Sequence, residues 1–67
     1  MGRMREAIKE YIDHLQQSAI DSRKDADESF EKGDLGLAGF HRGQWHTLEG
    51  VAIALENILA DYKEEEQ

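Results

Sequence analysis

The chain contains no cysteine and no proline. The first absence excludes disulfides and thiolate metal sites and suits a reducing compartment. The second means that nothing forces a helix to stop until a glycine intervenes. Aromatic residues are scarce, at 7%, and no apolar run approaches the about 20 residues needed to span a bilayer. The stretch from Met1 to Leu15 is charged from the outset and lacks the apolar core and small-residue cleavage site of a signal peptide. A soluble, cytoplasmic protein is expected.

Basic residues are also few: eight lysines and arginines stand against fifteen acids, for a net charge of −7. That balance repels phosphate backbones and anionic lipid, so neither direct nucleic-acid binding nor membrane binding is expected. The acids gather in two places. One is the stretch from Asp21 to Asp34, which includes Asp25, Asp27, Glu28 and Glu31; the other is the tail with Asp61, Glu64, Glu65 and Glu66. They read either as solvated helix faces with a frayed tail, or as an acidic surface shaped to occupy the basic groove of a nucleic-acid enzyme.

At 67 residues the chain makes one domain. A domain of this size buries only about 60% of its unfolded surface and is marginal alone. Natural proteins this small add disulfides, a metal or oligomerisation. With cysteine absent, oligomerisation is the remedy favoured.

Two helices account for what is present. Met4, Ile8, Tyr11, Ile12, Leu15, Ala19, Ser22, Ala26 and Phe30 recur at spacings of three and four, which sets them on one stripe of a helix. Ala38, His41, Trp45, Leu48, Ala52, Leu55, Leu59 and Tyr62 alternate the same two spacings without a break, as in a heptad seam. Leu37, Gln44, Val51 and Ile58 run beside that seam, while Arg42, Glu49, Glu56 and Lys63 mark the solvent side. The fold class expected is all-α: an antiparallel two-helix hairpin dimerising into a four-helix bundle. Helix 1 is predicted over about 3–32, a turn at 33–34, helix 2 over about 35–63 and a frayed acidic tail at 64–67, each helix about 43 Å long. Gly33 is expected to cap the first helix and Asp34 to begin the second. Pairing across the turn brings Leu15 to Ala52, Trp45 to Ser22 and Ala19, and His41 to Ala26, so that large residues meet small ones.

The turn F-E-K-G-D-L-G-L-A, from Phe30 to Ala38, resembles the turn within a tetratricopeptide repeat, where an aromatic residue, a Gly-Asp pair and an alanine recur at similar offsets. The resemblance covers one unit of an array that needs several copies to stack, and it implies local turn chemistry only.

A hairpin has a seam but no interior. The wide apolar sector of helix 2 is expected to leave Leu37, Phe40, Val51 and Ile58 partly uncovered, and burying one such side chain is worth about 1.5–3 kcal/mol. A two-fold dimer is the simplest closed solution. In outline it is similar to the small plasmid-copy-control bundles of the Rop type; the similarity is architectural, with no shared motif and no RNA-binding role implied. Gly36, Gly43 and Gly50, spaced by seven, would each cost about 1 kcal/mol inside a helix. They read as a line that lets a neighbouring helix approach closely; the rival reading is that helix 2 begins near Gly39 and that residues 33–39, including Gly36, form a mobile loop.

Chemistry finds little footing. His14, His41 and His46 show no metal-ligand spacing, and His41 is expected to bond to Asp25 or Glu28 across the seam. No nucleophile elbow surrounds Ser18, Ser22 or Ser29, and Gly33, Gly36 and Gly39 lack the lysine of a phosphate loop. A hairpin is expected to offer no cleft of about 300 Å³. Neither catalysis nor a cofactor nor a metal is expected.

The functional expectation is therefore a small adaptor or regulator whose first partner is its own copy. Its self-interface is assigned to Phe40, Trp45, Leu48, Val51, Leu55 and Ile58. An unidentified outside protein is expected to use Ile20 and Ile53, with Asp25, Glu28 and Glu31 as charged candidates. The alternative is a compact acidic inhibitor, of the kind phages and mobile elements encode, that blocks a host nucleic-acid-binding enzyme. A metal-storing bundle ranks last.

Overall fold

The computed structural model describes residues 2–62, so Lys63 and the acidic tail expected to fray lie outside the described residues. The described residues form two α-helices: α1, Gly2–Glu31, and α2, Leu35–Asp61. They run antiparallel. Near the open end the Arg5 guanidinium of α1 donates to the carbonyl oxygen of Leu59 at 3.0 Å, while at the other end a short turn joins them.

That turn follows from its residues. Gly33 adopts φ +83°, a left-handed conformation that glycine reaches without steric cost. Its N–H donates to the Phe30 carbonyl at 3.0 Å, and the Asp34 N–H donates to the Ser29 carbonyl at 2.9 Å, the pair of bonds that defines a Schellman cap. Asp34 then starts α2: its side chain accepts from the Leu37 N–H at 3.0 Å, and its carbonyl accepts from Ala38 at 2.9 Å. The reading of Gly36 and Gly39 as loop residues is therefore corrected, since both lie inside α2. The cap and the burial of Ala38 hold the first turn despite the cost of its glycines.

The seam between the helices is the core. α1 buries Ile12, Leu15, Ala19, Ser22, Ala26 and Ser29, and α2 buries Ala38 and Ala52. His41, Trp45, Leu48, Leu55 and Leu59 complete the α2 side as half-buried residues. Ala52, only 1% exposed, packs with Ile12 and Leu15, flanked by Ile8, Leu48, Leu55 and Leu59. Toward the turn the seam narrows to alanines and serines. No buried side-chain polar atom among the described residues lacks a hydrogen-bond partner, so the two buried serines cost little.

Three residues expected on the α1 stripe lie off the seam. Phe30 is 66% exposed, and Met4 and Tyr11 are also exposed. Ser29, not Phe30, continues the spacing of Ser22 and Ala26. Met4 and Tyr11 belong instead to a line with Ser18, Asp25 and Lys32, each seven residues on, which borders the seam on one side. Along α2, the supposed solvent line is also displaced: Glu56 accepts from the Gln16 amide of α1 at 3.1 Å, so this line flanks the seam. The far side of α2 carries Gly36, Gly43 and Gly50.

Candidate interaction surface

Each side of the hairpin is made of one line from each helix. On one side Lys9, Gln16, Arg23 and Phe30 of α1 meet Leu35, Arg42, Glu49 and Glu56 of α2. Arg23 lies over the Trp45 indole, 5.2 Å from its centroid; Trp45 in turn stacks on its neighbour His46 with centroids 4.7 Å apart. Arg23, Asp27, Phe30, Leu35, Arg42 and Trp45 line an open groove of about 510 Å³ near the turn. The expectation that a hairpin has no concavity of ligand size is thus corrected: the volume exists, because small residues narrow the seam here, but it forms a channel open along the surface.

On the other side Asp25, Ser29 and Lys32 of α1 share a groove of about 560 Å³ with Leu37 and His41 of α2. This sets the Met4–Tyr11–Ser18–Asp25–Lys32 line beside the Leu37–Gln44–Val51–Ile58 line. Met4, Tyr11, Leu37, Val51, Ile58 and, near the end of α2, Tyr62 are all large, apolar or aromatic, and exposed. Half-buried Ile8, Leu48 and Leu55 connect them across the seam. Neither bordering line carries a charge between Met4 and Ser18 on α1 or between Leu37 and Ile58 on α2. The two sides of the hairpin therefore differ in kind: one is interleaved with charge along its length, the other is apolar in its open-end half and carries its charges near the turn.

The residues assigned to a self-interface divide between these settings. Val51 and Ile58 are exposed on the apolar side. Leu48 and Leu55 pack against the core from its edge. Phe40 is exposed and meets the ring of His41 edge-on, with centroids 5.3 Å apart. Trp45 opens instead toward the charged side, beneath Arg23. Met4 and Tyr11 were missed as members of this surface, although their spacing of seven to Ser18 and Asp25 was the signal that separated them from the seam.

The residues assigned to an outside partner do not form one patch. Ile20 lines a shallow groove with Gln16, Ala19, Arg23, Trp45, Glu49 and Ala52, and Ile53 is not among the residues lining it. Asp25 and Glu28 line the turn-end groove together with Lys32, and Glu31 is exposed outside it. His41, expected to bond to Asp25 or Glu28, has its Nδ1 3.4 Å from the Gln44 side-chain oxygen on its own helix. Among the described residues no group of three or more histidines and acids is arranged to hold a metal ion, and no helix is long and apolar enough to cross a membrane. No family model matches the chain, and no curated protein or solved structure matches it either.

Proposed function

We propose that this chain is a small, non-enzymatic protein-interaction module that pairs with a second copy of itself through its apolar side, forming a four-helix bundle that serves as an adaptor or regulator. The observation that carries this reading is the gathering of exposed Met4, Tyr11, Leu37, Val51, Ile58 and Tyr62 on one side, while exposed Ile20, Phe30, Leu35, Phe40 and Ile53 are spread over the rest of the surface. Scattered exposed apolar residues are ordinary, but a contiguous face of them marks a contact. A face repeated on an identical copy is self-complementary about a two-fold axis. Glu31, exposed outside the turn-end groove that Asp25 and Glu28 line, is then left for a different protein. Sedimentation equilibrium tests the reading. The native chain should give about twice the 7.7 kDa chain mass, and Val51→Glu with Ile58→Glu should give a monomer or an unfolded chain. A dimer that survives both substitutions removes this face from the interface.

A second reading, of a compact acidic inhibitor of a nucleic-acid-binding enzyme, draws on the exposure of Asp25, Glu28 and Glu31 around the turn. It predicts capture of a basic enzyme that weakens with salt. Capture that persists after all three acids become lysine would dispose of it.

A further inference from the structure

We infer that the two copies lie side by side in the same direction, turn beside turn, about a two-fold axis parallel to the helices. This rests on the dimer proposed above and concerns how its apolar side is covered.

Size comes first. The hairpin measures 52 × 16 × 11 Å between Cα atoms, so its broad face offers a footprint of about 800 Å², the area each partner contributes to a standard stable interface. A copy slid halfway along would cover about 400 Å², short of the roughly 600 Å² per partner at the lower end of stable interfaces. The second copy must therefore overlap about three quarters of the length or more, which leaves two orientations.

Polarity separates them. The apolar side is uneven along its length. Its open-end half carries Met4, Tyr11, Val51, Ile58 and Tyr62, whereas its turn-end half carries Asp25, Glu28, Lys32, Asp34, His41 and Gln44 beside Leu37. Antiparallel overlap would lay the apolar half of each copy on the charged half of the other. Asp25 and Lys32 would then lose water against hydrocarbon without gaining a polar partner, and buried charges tolerate that poorly. Parallel overlap sets hydrocarbon on hydrocarbon at one end. At the other it returns Asp25, Lys32, His41 and Gln44 to polar company beside the solvated turn.

The absence of cysteine from the chain makes the test direct. Ala7 and Glu28 are exposed and occupy equivalent helical positions three heptads apart on α1. Each is replaced by cysteine and spin-labelled, and label separations are measured in the full-length dimer by pulsed electron resonance. Parallel packing gives same-site pairs, Ala7→Cys with itself and Glu28→Cys with itself, under about 30 Å. The mixed pair is then displaced along the axis by about 32 Å, the rise of three heptads of helix. The reverse pattern, a close mixed pair and two distant same-site pairs, overturns the inference and leaves the dimer standing. One close and one distant same-site pair means partial overlap and overturns it too. A monomeric mass for the labelled and unlabelled native chain overturns the dimer itself. The two labelling sites guard against a local disturbance at either one.

Discussion

The guanidinium of Arg23 on α1 sits 5.2 Å above the ring centroid of Trp45 on α2, closing the seam where alanines and serines leave it narrow. The cation faces the electron-rich ring, and its alkyl stem covers part of the indole. Because both residues remain partly open to solvent, the contact is worth about 0.5–1 kcal/mol. Arg23→Ala should lower stability by that amount, read by urea denaturation. It should also shift the emission of Trp45, the only tryptophan, toward that of a more hydrated indole. Unchanged emission would mean that the stacking holds no position in solution.

Two glycine substitutions should act in opposite directions. Gly33 has φ +83°, so Gly33→Ala forces an L side chain into a left-handed conformation and should cost about 1 kcal/mol. Gly50 lies within α2, and a Cβ built there meets nothing within 4 Å. Gly50→Ala should therefore stabilise the hairpin by about 0.5–1 kcal/mol. Thermal melts of both variants check the pair. A Gly50→Ala chain that melts lower and associates less would reveal a neighbouring backbone seated on the glycine line.

Ala52 is the most enclosed residue of the seam, at 1% exposure, packed by Ile12 and Leu15. Ala52→Leu inserts three carbons where the helices already touch and should destabilise by about 1–3 kcal/mol. Leu15→Ala opens a cavity at the same place and should cost about 2–5 kcal/mol. Far-ultraviolet dichroism during chemical denaturation reads both. A neutral result for both variants would contradict the close packing at this point.

Association should tighten as salt rises. Each copy carries a net charge of −7, and bringing two such chains together sets like charges within the range that salt screens, about 10 Å at 0.1 M. Sedimentation at low ionic strength and at about 0.5 M salt should show the dissociation constant falling. Dissociation that grows with salt would point to an interface held by opposite charges instead of apolar contact.

The sequence alone determined the two helices, their turn and the central residues that meet between them, Ile12, Leu15 and Ala52 among these. Heptad spacing from Ala38 to Leu59 needs no knowledge of a neighbour, because helical periodicity is a property of one element. The Gly33–Asp34 pair is a local signal of the same kind, since capping involves only adjacent backbone groups. Pairing large Leu15 with small Ala52 was legible because an antiparallel turn of known length sets the register.

What lies beside the seam was decided only by tertiary structure. Phe30 and Ser29 compete for one position beside Ala26, and Ser29 takes it while Phe30 stays 66% exposed at the edge of the groove it lines with Ala26 and Ala38. Tyr11 and Ile12 sit next to each other in sequence with similar apolar weight, and only the direction of the partner helix decides which is buried. The same rotation turned the Arg42–Glu49–Glu56 line against α1 and left the glycines facing outward. Hydrophobic spacing defines a stripe to within about one residue's turn, roughly 100° on a helix, and a hairpin seam is narrower than that. Which edge of each stripe is buried therefore depends on how the two helices rotate against each other, and that rotation is set by the packing of both chains of side chains at once.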